Sequence, residues 1–490
     1  MVTSGHPGAP LGPDLAAARV LVAGLGVTGR AVVAALVNRA AAVTTLDANA
    51  PGADLQDSAD VDLTSVDLVV ASPGWAPTHP LLVASAEAGI PVWSEVELAW
   101  RLRVDRAAGG GPAPWLAVTG TNGKTTTVGM LTSMLAAAGL EVAEVGNVGR
   151  PVVEAAVDPS VDVLAVELSS FQLHFTHTMA VEAGAVLNVA TDHVDWHGSA
   201  EAYAADKGRI FERAQVACVY NVADETTRRL VEDADVADGA RAVGFTLGSP
   251  GRAEIGLIED IAVDRAFHTH ASDPGRHSSA EELFTLADLG HLAGPDGRVA
   301  PHVVANVLAA AALARAHGLS ADDVRRGARA FRPGQHRIET VATVSVPGGS
   351  VSFVDDSKAT NAHAASASLA AFAPGSVVWV AGGLAKGATF DDLVIERRDR
   401  LRAVVLIGVD AGPLAEAIDR HAPDLPVVRV DPGETGTVMA RAVAAAAGLA
   451  KPGDTVLLAP ASASMDQFRS YAERGEKFAA AAREHSHDGE

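Results

Sequence analysis

The chain has 490 residues, room for about three domains of ~150 residues each, and its 48% hydrophobic against 20% charged residues exclude disorder over most of its length. A count of 60 acidic against 38 basic residues leaves a net charge of −22. Such a field repels nucleic acid and anionic lipid and leaves only local basic pockets for phosphate. The one cysteine, Cys218, cannot form an intrachain disulfide, which suits a reducing cytoplasm. Residues 1–13 lack the basic-then-apolar order of a secretion signal. Two uncharged stretches, 68–86 and 359–385, are broken by Pro73, Pro77 and Pro80 and by Asn361, His363, Pro374 and Gly375, so neither reads as a bilayer span. The expectation is a cytoplasmic protein with no membrane insertion.

Alanine-rich helical patterns alternate with short β-branched runs, which predicts an α/β fold with parallel sheets. The stretch AAGGGPAP at 107–114 holds neither a helix nor a central strand and marks one boundary; a Pro-Gly pair at 333–334 marks another. The expected domains are 1–110, 111–333 and 334–490, with loops and edge elements over 221–300 and a frayed tail from His485.

The first block opens with an apolar strand at 19–23, then Gly24-x-Gly26-x-x-Gly29 and an Ala/Val helix to residue 37. A second strand at 42–46 ends at Asp47. Strand, glycine turn, helix and acid form a dinucleotide-type fingerprint, in which the helix N-terminus meets phosphate and the acid a ribose hydroxyl. Alone it fits NAD, another nucleotide, or simply tight strand–helix packing.

The second block runs from a strand at 115–118 into TGTNGKTTT (119–127) and an apolar helix ending at Gly139. Backbone N–H groups of such a loop cradle a triphosphate, Lys124 reaches the β/γ oxygens, and Thr125 is placed for Mg²⁺. It is not a strict Walker A loop, because Gly120 lies three rather than five positions before Gly123. A buried-type strand at 161–166 delivers Glu167 at its carboxyl end, where open α/β sheets bind ligands, so Glu167 is a candidate metal ligand. Then comes NVATDHVDWHG (188–198), with Tyr203 and Lys207 beyond. The spacing His193-x-x-x-His197 would suit zinc on a helix, but the surrounding acids suit a hard cation, and His197 reads as a hydrogen-bonded structural residue. From residue type alone, Lys207 reads as a solvated surface lysine.

The third block has a strand at 351–354 leading into DDSKATN (355–361), and apolar strands at 377–380, 403–407 and 455–458, each ending in small or polar residues. It reads as a second Rossmann-like sheet whose loops line a cleft; pattern alone does not name the ligand.

Taken in order, GLGVTG, TGTNGKTTT, GNVGRP, ELSSFQL, NVATDHVDWHG with Tyr203 and Lys207, PHVVAN, HRIE, DDSKATN, AGGLAKGATF and LLAPASASMDQF with ERG resemble the Mur ligase family over nearly the whole chain. That resemblance implies an N-terminal Rossmann-like uridine-nucleotide module, a central P-loop-type ATPase with a mostly parallel sheet, and a C-terminal Rossmann-like amino-acid module. DDSKATN with SASMDQF is similar to the member that adds D-glutamate to UDP-N-acetylmuramoyl-L-alanine with ATP, through an acyl phosphate. By matching motif, Gly120, Thr121, Asn122, Gly123, Lys124, Thr125 and Thr126 hold ATP, with Asn306, Arg337 and Asp356 as further nucleotide contacts. Thr125, Glu167, His193 and Lys207 match metal positions, which implies Mg²⁺, two ions in all, and Lys207 matches a lysine carried as a carbamate that bridges the second. Lys124, His193 and Lys207 are the implied catalytic set. Gly26, Thr28, Asp47, Asn147 and Ser169 match contacts to the uridine-nucleotide substrate; Lys358, Thr360, Ser464 and Tyr471 match the D-glutamate pocket. Ala48 and Asn49 depart from members whose side chains touch uracil, so its recognition falls to Asp47 and backbone groups. Tyr471 is often Phe in the family, which implies packing against substrate, and region 221–300 looks longer than usual.

Three other readings compete. Another amino-acid ligase of the family, or folylpolyglutamate synthetase, fits less well because of DDSKATN and the first-block fingerprint respectively. An NAD-dependent dehydrogenase using Gly24–Gly29 leaves TGTNGKTTT and ELSS unexplained. A nucleotide-sensing protein without turnover is opposed by the intact Lys124, Glu167, His193 and Lys207.

Overall fold

Three sheets follow one another along the chain in the computed structural model, which describes residues 12–487 except 270–272, 274, 276–277, 295–296, 335, 386 and 434. The expectation for the first eleven residues, and Lys386 of AGGLAKGATF, lie outside the described residues. The first sheet has strands β1 (Arg19–Ala23), β2 (Ala42–Leu46), β3 (Leu68–Ala71) and β4 (Val92–Trp93), all parallel, in the order β2-β1-β3-β4.

The second sheet has nine strands: β5 (Trp115–Thr119), β6 (Val142–Gly146), β7 (Val163–Glu167), β8 (Ala183–Val186), β9 (Ala217–Asn221), β10 (Arg241–Phe245), β11 (Glu254–Ile258), β12 (Ile261–Asp264) and β13 (Glu281–Thr285). Their order is β13-β12-β11-β10-β9-β8-β5-β7-β6, parallel from β6 to β11 and antiparallel over β11-β12-β13. Residues 241–285 therefore extend one edge of this sheet, in keeping with the edge elements expected there. β5, β7 and β8 are buried at every position, a continuous apolar run rather than an alternation, because helices cover both faces.

The third sheet, β14 (Glu339–Val346), β15 (Gly349–Asp355), β16 (Val377–Gly382), β17 (Leu401–Ile407), β18 (Val427–Arg429) and β19 (Thr455–Leu458), runs β14-β15-β19-β16-β17-β18, with only the β14–β15 hairpin antiparallel. Its two faces carry separate apolar clusters, one around Phe353, Val380 and Phe478, the other around Trp379, Leu406 and Phe390. The last helix, Tyr471–His487, continues past His485, where fraying was expected; the His485 ring lies 6.2 Å from Phe353.

The described residues fall into two compact units: one runs to Leu289 and includes Val303–Phe331, the other holds Gly290–His302 and Arg332 onward. The first two sheets belong to the same unit and share a core, in which Trp93, Val96 and Leu98 sit in one cluster with Trp115, Val152 and Leu173. Among the described residues no helix is long and apolar enough to cross a membrane.

Candidate active site

Thr119 closes β5 with its hydroxyl donated to Leu168 O (2.7 Å), and the chain turns through Gly120–Gly123 into the helix Lys124–Ala137. Gly123 is the N-cap at φ +86°, a left-handed conformation that favours glycine, and as a glycine it offers the first-turn N–H groups no side-chain cap of its own. A Cβ on Gly123 would also lie 2.5 Å from Asn306 Oδ1, so Asn306 abuts the loop. Asn122 N donates to Asn188 Oδ1 (2.9 Å) and Asn188 Nδ2 donates back to Asn122 O (3.1 Å). The Thr121 hydroxyl pairs with Tyr203 (3.1 Å) and accepts from Ala190 N (3.0 Å). Asn188 and Tyr203 thus brace the loop; both sit in the quoted motif, but neither was assigned a role. Thr125 and Thr126 follow in the first turn, half-buried.

Two amines converge on one carbonyl. Lys124 Nζ donates to Gly120 O (2.8 Å) and Thr121 O (3.1 Å), and Lys207 Nζ donates to the same Gly120 O (3.1 Å). Lys207 is 2% exposed, so the surface-lysine reading from residue type is overturned: the helix Ala200–Gly208 turns it inward over the Tyr203 ring, 4.4 Å from its centroid. Burial first, and the Lys124 charge second, hold Lys207 well below the ordinary lysine range. Glu167 closes β7 nearby in the chain's topology, paired across from Val118 of β5 and itself buried. Its Oε1 accepts from Asn147 Nδ2 (2.9 Å), whereas Oε2 is buried with no hydrogen-bond partner among the described residues. An orphaned carboxylate oxygen at a strand's carboxyl end fits a hard cation. His193 sits at φ +52°, ψ +32°, with its ring 4.7 Å edge-on from Phe171 and Nε2 3.6 Å from the Asp192 carboxylate. A non-glycine residue held there costs on the order of 1 kcal/mol, the kind of local strain that collects at functional sites.

Ser169 is engaged as a helix cap: its hydroxyl accepts from Gln172 N (3.3 Å) and donates to Gln172 Oε1 (2.9 Å) in a capping box that opens the helix Ser170–His174. Asp47 accepts from Leu25 N (2.7 Å), Asn49 N (2.8 Å) and Ala50 N (3.1 Å), which pull it below the usual carboxylate range, and so ties the glycine loop to the end of β2. Gly26 is the N-cap of the helix Val27–Leu36, with Thr28 in its first turn, and a Cβ on Gly29 would meet Gly24 O at 1.8 Å. The third glycine therefore serves close strand–helix approach.

In the C-terminal unit, β15 delivers Asp355 and Asp356 and β19 delivers the loop with Ser464. Burial pushes Asp356 up to about 6, against the Ser368 hydroxyl that donates to it and the Arg337 charge. Asp355 Oδ2 lies 2.6 Å from His336 Nδ1, within hydrogen-bond distance. Lys358 Nζ lies 4.0 Å over the Tyr471 ring, so these two proposed pocket residues are brought together; Thr360 is half-buried and Ser464 is buried. Arg474, 1% exposed, joins the two loops: it donates to Ser357 Oγ (3.0 Å), Ser357 O (2.9 Å) and Ser462 O (3.0 Å). The motif ERG contained it, but nothing local in the sequence marks an arginine as buried.

A family model described as the Mur ligase middle domain matches residues 118–314, and one described as the Mur ligase glutamate ligase domain matches 336–462. The chain belongs to the Mur ligase family. A relative from Streptomyces avermitilis named UDP-N-acetylmuramoylalanine–D-glutamate ligase is 53% identical over 95% of this chain and 97% of its own length. One of the same name from Bifidobacterium longum subsp. infantis is 48% identical over 95% and 97%. Among solved structures, MurF ligase from Thermotoga maritima in complex with ADP aligns with TM-score 0.55 over 96% of both chains at 17% identity, and UDP-N-acetylmuramate-alanine ligase MurC from the same organism with 0.54 over 96% and 100% at 16%. At that identity the structures speak for the α/β, mostly parallel Mur ligase fold.

Proposed function

We propose that this Mur ligase joins D-glutamate to the carboxyl group of UDP-N-acetylmuramoyl-L-alanine at the expense of ATP, as its most similar relatives are named for doing. The observation that carries the chemistry is the pair of lysines on the Gly120 carbonyl beside the glycine-capped N-terminus of the helix Lys124–Ala137. A carboxylate acylates an amine only after one of its oxygens becomes a leaving group. Attack of the substrate carboxylate on the γ-phosphorus forms the acyl phosphate and expels ADP. The amine of D-glutamate then attacks the acyl carbon, phosphate leaves, and the amine's proton goes to solvent. The protein's task is charge neutralisation and alignment, supplied by the loop N–H groups and Lys124.

Thr125, Glu167, His193 and Lys207 would hold Mg²⁺, which supplies positive charge against phosphate oxygens when bound. The orphaned Glu167 oxygen fits this directly. Lys207 would fit as a carbamate: its buried amine, whose lowered pKa favours the neutral form, would add to CO₂, forming an N–C bond and releasing a proton, and would become a hard anionic ligand. Gly120, Thr121, Asn122, Gly123, Thr126, Asn306, Arg337 and Asp356 would contact ATP, and Gly26, Thr28, Asp47, Asn147 and Ser169 the uridine-nucleotide substrate. Lys358, Thr360, Ser464 and Tyr471 would form the D-glutamate pocket. We place the domains at 1–110, 111–333 and 334–490 and the protein in the cytoplasm, where its nucleotide substrates are made. The test is ADP release with UDP-N-acetylmuramoyl-L-alanine against a panel of amino acids: D-glutamate alone should support turnover, and equal use of D-alanine or a diamino acid would refute the assignment.

A further inference from the structure

The zinc-like spacing in the sequence pairs His197 with His193; the fold pairs it elsewhere. His197 Nδ1 lies 2.8 Å from Asp206 Oδ2, and His174 Nδ1, from a separate helix, lies 2.8 Å from that same oxygen. The three donor atoms lie within 4.8 Å of one another. We propose that His174, His197 and Asp206 form a binding site for one borderline transition-metal dication, of which Zn²⁺ is the type, separate from the Mg²⁺ positions and independent of the function proposed above.

Donor chemistry comes first. Two imidazole nitrogens and one carboxylate oxygen suit Zn²⁺, Co²⁺ or Ni²⁺, whereas Mg²⁺ takes oxygen ligands and dehydrates reluctantly. A tetrahedral ion with bonds of ~2.0–2.1 Å needs donors about 3.3 Å apart. Each nitrogen–oxygen separation of 2.8 Å must therefore open by only ~0.5 Å, a small rotation of the side chains. Shape agrees: the His197 side chain is fully buried and that of Asp206 nearly so, while His174 is 30% exposed, which closes one side and leaves the other for water as a fourth ligand.

The surroundings fix the donors as outer groups do at metal sites. Ser170 Oγ lies 3.0 Å from His197 Nε2, so it can accept from Nε2–H and hold the ring when Nδ1 binds an ion. Phe171 stacks on His197 at 5.4 Å, and Trp196 meets His174 edge-on at 5.2 Å, giving an apolar wall. Arg209 lies 3.9 Å from the other carboxylate oxygen, Oδ1, not from the oxygen that would bind the ion. The three donors come from the helices Ser170–His174, Val194–His197 and Ala200–Gly208, so one ion would pin the segments that also carry His193 and Lys207.

The test uses the untagged full chain with excess Mg²⁺ to saturate hard sites, titrated with Co²⁺ and followed by its ligand-field absorption and by equilibrium dialysis. Expected is one tightly bound Co²⁺ per chain with an intense four- or five-coordinate band that Zn²⁺ abolishes. His174→Gln, at a partly exposed position that tolerates the change, should lose the band and weaken binding by on the order of 100-fold, Ser170→Ala by ~10–100-fold. Glu167→Gln should leave the band in place. No band in the wild type, or one that survives His174→Gln, overturns the proposal and leaves a hydrogen-bonded His–Asp–His clamp.

Discussion

Two lysine amines on one backbone oxygen are the feature that separates this site from an ordinary phosphate loop. Burial, and then the Lys124 charge, lower the Lys207 pKa well below the ordinary lysine range, which favours its neutral amine. Carbamate formation needs that neutral amine and releases a proton, so lowering the amine's pKa extends the modification to lower pH than an ordinary lysine permits. With ¹³C-bicarbonate, the wild type should show a carbamate carbon resonance that Lys207→Arg lacks, and that variant should lose ~10²–10⁴-fold in turnover as charge stabilisation is lost. A resonance that persists in Lys207→Arg would place the modification elsewhere. Lys358 sets a second residue-level expectation. It lies over Tyr471 on the loop that Arg474 ties to the Ser464 loop. If it meets a carboxylate of D-glutamate, Lys358→Ala raises the D-glutamate KM on the order of 10–100-fold, the worth of a hydrogen bond to a charged group, and leaves the KM for ATP unchanged. A rise confined to ATP would move Lys358 to the nucleotide.

Among elements, the helix Glu95–Leu102 carries most of the join between the first two sheets. Glu97 accepts from His177 N (2.8 Å), Thr178 N (2.8 Å), the Thr178 hydroxyl (2.6 Å) and Arg101 (2.7 Å); burial raises its pKa, but these bonds outweigh it and the net is a lowered value. Glu95 accepts from Val153 N (2.6 Å) at the start of the helix Val152–Ala156, yet burial dominates and pushes it up to about 7 from 4.5. A carboxyl raised on folding contributes stability that is complete below its unfolded pKa and is lost as pH rises through its folded one. Between pH 4.5 and about 7 this loss amounts to at most about 3 kcal/mol. Glu95→Gln keeps an acceptor oxygen and removes the titration, so its Tm relative to wild type should climb between about pH 4.5 and 7 and level off above; a pH-independent difference would show that the Glu95 pKa is not raised on folding. None of this was legible in the sequence. The apolar run of β5, the glycine loop after it and Glu167 at the end of β7 were, because strand period and loop chemistry are local. The Glu95–Val153, Lys207–Gly120 and His174–Asp206 contacts join residues far apart in the chain, and hydropathy reports which face is buried, not which distant segment covers it. Ser169 and Asp47 show the converse: their motif positions were legible, while their bonds to Gln172 and to Leu25 emerged only with the backbone in place.

For the molecule as a whole, the Gly/Pro stretch at 107–114 looks in the sequence like a divider, but the structure builds one core across it. Trp93, Val96 and Leu98 are each at most 1% exposed and lie in the cluster that holds Trp115, Val152 and Leu173. Cutting there would expose several such side chains, each worth ~1.5–3 kcal/mol of burial, a total comparable to the stability of a whole domain. It would also strip Glu95 and Glu97 of every donor from beyond residue 110 and remove Thr176, whose hydroxyl pairs with Ser94 at 2.8 Å. The four-stranded sheet of the first segment is small, and small sheets depend most on what covers them. A fragment of residues 1–110 should therefore unfold without a sharp transition and bind a hydrophobic dye, whereas residues 1–331 should melt cooperatively with the first sheet included. Differential scanning calorimetry of the two fragments decides the matter: a cooperative peak from 1–110 alone would mean that its own core suffices and that the shared cluster is only a contact between independent folds.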